Sequence, residues 1–152
     1  MDLKNNFWKD YPELEKELVQ VQQLMKSHVT IKNSDVKSAI FDIFDAGGKM
    51  LRPAYLLLFS GFTDLSENER LALAASVEMM HTATLVHDDV IDHADTRRGV
   101  ATLSAKYGPE IAVYAGDYLF IAVFRLMSEH SLELSNLTKN IGSIERLSLI
   151  HI

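Results

Sequence analysis

The chain has 152 residues, 47% hydrophobic and 24% charged, which is enough for one globular domain with a buried core. Its net charge of -6 excludes a general nucleic-acid binder, because neutralising phosphates takes a surplus of Lys and Arg. The absence of cysteine excludes disulfides and thiolate metal sites and fits a cytoplasmic location.

Met1 to Asp10 carry charges and no apolar run, so they do not read as a signal peptide. The longest unbroken apolar stretches, Ala54–Phe59 and Ile111–Ala115, fall well short of the roughly 20 residues of a membrane span, and none is expected. Leu14, Leu18, Val21 and Met25 fall three or four apart and predict a helix from Pro12 to about Val29, with Pro12 in its first turn and Asp10 as its cap. Ser34 is the next expected N-cap, leading to Ile40, Ile43 and Phe44. Gly47-Gly48 stops that helix, because glycine tolerates the left-handed conformation of a C-cap.

A short apolar helix is expected from Pro53 to Phe62. Ser66 and Glu69 form a Ser-x-x-Glu capping box that opens a long helix from Glu67 to about Ile91. Its richness in Ala and Met makes that helix central and buried. His93 to Gly99 reads as a polar connection. Helical patterns resume at Thr102–Lys106, at Pro109–Met127 and from Leu132 onward. Ser148–Ile152 is apolar and has no stop signal, so the chain is expected to end before its fold is complete, with 148–152 a non-native tail. No segment alternates with period two, and no repeat or linker divides the chain. The prediction is one all-α domain over 1–152, an antiparallel helical bundle around a central cavity.

The chemistry concentrates at His87-Asp88-Asp89-Val90-Ile91-Asp92, at the end of the long predicted helix. Asp88 and Asp92, four apart, share a helix face, with Asp89 about 100° round from Asp88. Three carboxylates in one turn repel one another and sit at the negative end of the helix dipole. A hard divalent cation relieves both penalties, and Mg²⁺ binds through one or two carboxylates plus phosphate oxygens. Alone, the cluster also reads as a solvated acidic helix end.

Gly47-Gly48-Lys49-Met50-Leu51-Arg52-Pro53 is the second signal. Two glycines allow close approach of a ligand, and Lys49 and Arg52 stand near a new helix N-terminus, where an anion is favoured. A point charge and a bidentate fork suit a diphosphate. The plainer reading is a helix junction with incidental surface cations. Arg97 and Arg98, just past the acids, are either counterions or a diphosphate clamp. His81 lies seven residues before Asp88, on nearly the same face. A lone histidine there is either a core residue or a ligand group.

In combination these motifs resemble the trans-prenyl diphosphate synthases, the polyprenyl synthetase family. Gly47-Gly48-Lys49-x-x-Arg52-Pro53 is similar to a family motif. Asp88-Asp89-x-x-Asp92 with Arg97-Arg98-Gly99 is similar to its first aspartate-rich region, and the resemblance runs from about Lys37 to Leu126. It implies an isoprenoid synthase fold and a Mg²⁺-dependent prenyltransferase that joins isopentenyl diphosphate to an allylic prenyl diphosphate. Lys49, Arg52, His81 and Arg98 would hold isopentenyl diphosphate. Asp88 and Asp92 would bind Mg²⁺, with Asp89 in support and Arg97 on the allylic diphosphate. The family's usual state implies a homodimer, with an unlike subunit as the alternative.

Small residues at Thr84 and Ala83, four and five before Asp88, imply a medium or long polyprenyl product of the heptaprenyl kind, used in quinone side chains. Met50 stands where many relatives carry arginine. The family's second aspartate-rich motif is not in the sequence, so the chain is expected to be an N-terminal portion, inactive alone. Three other readings are a non-catalytic partner subunit that binds prenyl diphosphates, a terpene cyclase, and a plain helical scaffold. The Gly47–Pro53 anion site argues against a cyclase, and the clustered acids argue against a scaffold.

Overall fold

The computed structural model describes residues 6–46, 48–97 and 99–130. The helix expected from Leu132 and the tail at 148–152 lie outside them. After a 3₁₀ turn at Asn6–Trp8, α1 (Pro12–Ser27) buries Leu14, Leu18, Val21 and Met25 along one face, as their spacing predicts. Its N-cap position is Tyr11, not Asp10, and no side chain caps it. Asp10 lies one residue too far back, and Pro12 already removes one of the amides a cap would serve.

The cap of α2 (Ser34–Ala46) also falls one residue from expectation. The Asn33 side-chain oxygen accepts from the Asp35 and Val36 amides, both at 3.0 Å, so Ser34 is the first helical residue instead of the cap. α3 (Leu51–Ser60) begins two residues before Pro53, because proline is tolerated within a first turn.

α4 (Glu67–Ile91) has the bounds that the sequence predicts. The Glu69 amide donates to Ser66 Oγ at 3.3 Å, and the Ser66 amide donates to the Glu69 carboxylate at 2.8 Å. The Ser66 hydroxyl bond, and then its amide, hold the Glu69 carboxyl below the usual range. This contribution is full above the ordinary carboxyl range and fades as pH falls through the lowered value.

The connection after α4 contains an antiparallel hairpin, β1 (Thr96–Arg97) and β2 (Val100–Ala101), pairing Thr96 with Ala101 and Arg97 with Val100. Two residues per strand are too few for alternation to show in the sequence. α5 (Leu103–Tyr107) and α6 (Pro109–Glu129) follow.

α4 is the hub on which α6, α3 and α1 pack. Its buried positions are mostly small, including Ala72, Ala74, Ala75, Ser76 and Ala83, which lets neighbouring helices come close. Near the end of α4, His87 meets Val113 near the start of α6. At the other end, Asn68 and Leu71 share a groove with His130 beyond α6, so the two helices run antiparallel.

By length and composition α6 is apolar enough to cross a membrane, although Asp117 keeps its unbroken apolar runs short. Of that stretch, 44% is buried within the chain. Its outer face leaves Tyr114, Ile121 and Phe124 exposed.

Candidate active site

The last turn of α4 closes in a Schellman motif. The His93 amide donates to the Val90 carbonyl at 3.3 Å and the Ala94 amide to the Asp89 carbonyl at 2.9 Å, with His93 left-handed at φ 51°. This reversal folds the hairpin back onto the helix it has just left. Arg97 Nε–H then donates to Asp89 Oδ1 at 2.6 Å.

The three acids therefore part company. The Asp89 side chain is 9% exposed and paired, whereas Asp88 and Asp92 stay exposed, four residues apart on one face. Among the described residues neither Asp88 nor Asp92 has an ion pair, and no three acidic or histidine side chains form a closed metal site. Arg97 serves as the counterion of Asp89 in this structure, which leaves its reading as a diphosphate clamp open. The bond uses one of five guanidinium donors, and the Arg97 side chain remains 38% exposed.

Buried Thr102 fixes the base of the hairpin. Its hydroxyl donates to the Ala94 carbonyl at 2.7 Å and accepts from the Ala105 amide at 3.1 Å, while its own amide donates to the Asp95 carbonyl at 3.0 Å. Gly99, at φ 78°, supplies the left-handed residue of the two-residue turn.

The other motif lies at the same end of α4. Ile43 and Ala46, at the end of α2, line a cavity of about 50 Å³ together with Val86, Asp89, Arg97 and Val100. α2 thus ends beside the acidic turn. From α1, Gln22 Nε2 donates to the Phe44 carbonyl at 3.1 Å and Lys26 pairs with Asp45 at 2.5 Å, fixing the point of departure.

Lys49 and Arg52 are both exposed, Arg52 on the first turn of α3. The left-handed residue described in this loop is not a glycine but Met50, at φ 50° and 5% exposed. Its side chain is drawn into the core, and its burial offsets the strain of that backbone.

Two residues that the sequence did not single out touch Lys49. Trp8 Nε1–H donates to the Lys49 carbonyl at 2.5 Å, and the Lys49 ammonium lies 4.5 Å above the Phe7 ring. Both precede the first helix and share no period with it. The available signal was the chain's single tryptophan, standing in a polar N-terminal stretch.

His81 is half-buried on α4, where its carbonyl accepts from the Thr84 hydroxyl at 2.7 Å. Arg98 lies outside the described residues. Met80, Thr84 and Asp88 form one exposed stripe at four-residue spacing, whereas Ala83 is fully buried and faces the core. Next to Asp88, His87 lies flat on α6, with Nε2 3.2 Å from both the Val113 carbonyl and Asp117 Oδ1 and its ring tilted against Phe120. Gly116 makes room for it: a Cβ there would lie 2.7 Å from His87 Cδ2 and closer still to Nε2.

Two outcomes follow from this geometry. Asp89→Asn is expected to cost about 1.5–3 kcal/mol, the range for a hydrogen bond to a charged group, and to speed amide exchange in residues 96–101 selectively; unchanged exchange there would remove Asp89 as the anchor of the hairpin. Gly116→Ala is expected to cost about 1–3 kcal/mol by overpacking. In a double-mutant cycle that cost should shrink in a His87→Ala background, and an equal cost in both backgrounds would place the clash elsewhere.

Residues 33–149 match the family model described as polyprenyl synthetase. Over 119 residues the chain is 37% identical to heptaprenyl diphosphate synthase component 2 of Geobacillus stearothermophilus, covering 78% of this chain and 37% of that protein. The crystal structure of geranylgeranyl pyrophosphate synthase from Lactobacillus brevis is 35% identical with a TM-score of 0.83, covering 93% of this chain and 44% of that one. Polyprenyl synthase from Caulobacter crescentus, solved with calcium and isoprenyl diphosphate, is 32% identical with a TM-score of 0.70, over 91% of this chain and 44% of that one. The chain thus spans less than half the length of these relatives. With the match covering most of its residues and the shared all-α fold, the chain belongs to the polyprenyl synthetase family.

Proposed function

We propose that this chain carries the allylic-diphosphate and isopentenyl-diphosphate binding groups of a Mg²⁺-dependent trans-prenyltransferase that makes a medium- or long-chain polyprenyl diphosphate. The observation that carries this reading is the division of labour in the last turn of α4. Asp89 is buried and neutralised by Arg97, which leaves Asp88 and Asp92 exposed on one face at the negative end of a 25-residue helix. An open pair of carboxylates fits Mg²⁺, which takes one or two from the protein and completes its shell with phosphate oxygens and water. Asp88 and Asp92 would hold the ion, and bound there it would neutralise the charge of a departing diphosphate.

The chain's own groups supply the rest. Arg97, half-exposed beside that turn, would steady the allylic diphosphate with its terminal N–H groups. Lys49, on the loop that leaves α2 near the same turn, and Arg52, on the first turn of α3, would hold isopentenyl diphosphate together with His81 and Arg98. Met80 and Thr84 continue the Asp88 face and would border the hydrocarbon tail, where apolar surroundings keep water from an allylic cation. The Geobacillus relative is named as one component of a heptaprenyl diphosphate synthase. Further helices of a longer chain, or a second polypeptide like or unlike this one, would cover the exposed Tyr114, Ile121 and Phe124 of α6. The absence of cysteine supports a cytoplasmic setting.

Calorimetry with a non-hydrolysable allylic diphosphate analogue tests the binding claim. Saturable heat that requires Mg²⁺ and is lost in Asp88→Ala with Asp92→Ala is the expected outcome. Heat retained by that double variant would move the site elsewhere. The burial of Ala83 also transfers the product-length test to Thr84, because phenylalanine at Ala83 would first overpack the core. In the active enzyme Thr84→Phe is expected to shorten the product, and an unchanged length would take Thr84 out of the path of the growing chain.

A further inference from the structure

Phe7, Trp8 and Tyr11 stand before α1 and do not join its apolar stripe. They form a small aromatic cluster instead. The rings of Phe7 and Trp8 meet edge to face at 4.9 Å and 83°, and those of Trp8 and Tyr11 at 6.4 Å and 70°. Trp8 is the buried member at 9% exposure, and its indole N–H is spent on the Lys49 carbonyl, 41 residues away. Phe7, 46% exposed, presents its ring face to the Lys49 ammonium. One residue is therefore held twice, by its backbone and by its charge, from two adjacent aromatics.

The two contacts do different things. Lys49 precedes Met50, whose left-handed backbone needs outside support, and the Trp8 bond ties the loop down next to it. A lysine side chain is otherwise free to sample many rotamers, and ordering it on binding an anion weakens affinity. A ring face attracts an ammonium without consuming its charge and covers only one side of it. The remaining N–H groups stay available to phosphate oxygens.

We propose that Phe7 and Trp8 are positioning residues for diphosphate binding at Lys49: Trp8 fixes the loop, and Phe7 pre-places the ammonium. They act through Lys49 and do not touch the diphosphate themselves. This inference rests on the proposed role of Lys49 above.

Trp8 is the chain's only tryptophan, so its emission reports on the Lys49 loop directly. The chain is titrated with isopentenyl diphosphate without Mg²⁺, and Trp8 fluorescence is followed, with calorimetry as a second readout. A saturable change is expected, abolished in Lys49→Ala. Phe7→Leu is expected to weaken binding about two- to five-fold, the range for an exposed cation–π contact, and Phe7→Tyr to bind like the unmodified chain. A role in packing alone would not depend on the ring face that Tyr keeps and Leu lacks, so an equal loss in both variants overturns the inference. Wild-type affinity in Phe7→Leu, with binding still lost in Lys49→Ala, overturns it and leaves the diphosphate site standing. No saturable signal from the unmodified chain by either readout overturns both.

Discussion

The arrangement of the site depends on one ion pair, Asp89 with Arg97. Three carboxylates in a single turn at the negative end of a long helix are an electrostatic liability. The structure answers it locally, with a cation from the next segment of chain. Because Asp89 is buried, its pairing is close to obligatory, since an unpaired buried carboxylate is among the costliest groups to fold. The consequence is selective. The middle acid is consumed in holding the hairpin, and the outer two are left where a cation from solution can reach them.

Behind that turn, α4 and α6 meet through small residues, and Gly116 leaves the room that the His87 ring takes. His87 is the residue next to Asp88, so the contact between the two helices adjoins the first carboxylate. The loop that carries Lys49 is treated differently. It is pinned at its departure by Gln22 and Lys26 of α1 and at Lys49 by Trp8. One motif is thus steadied by helix packing and the other by point contacts from the N-terminal third of the chain.

Much of this was legible in the sequence wherever a local pattern fixes a local structure. The Ser66–Glu69 box gives the start of α4 and the four-residue spacing gives the shared face of Asp88 and Asp92, because both depend on neighbours along one helix. Legibility fails where a distant contact overrides a local preference. Burial of its methionine side chain holds Met50 in a left-handed conformation that the sequence does not announce. His93 takes the Schellman position usually given to glycine, since the motif satisfies two terminal carbonyls at once. Ala83 and Thr84 look alike in size, and only the packing of α6 and its neighbours decides that one faces the core and the other the solvent. Phe7 and Trp8 were invisible for the same reason: their partner is more than forty residues away.

The Schellman reversal and the hairpin also make the distance along the chain from Asp89 to Arg97 a measured quantity. Side chains in a strand alternate faces, so a shift of one residue between His93 and Thr96 would turn Arg97 away from Asp89 and present a neighbour in its place. The segment works as a ruler. Many substitutions within it leave its length intact, but a single insertion or deletion changes which charge arrives at the helix end. In this stretch the number of residues carries as much information as their identity.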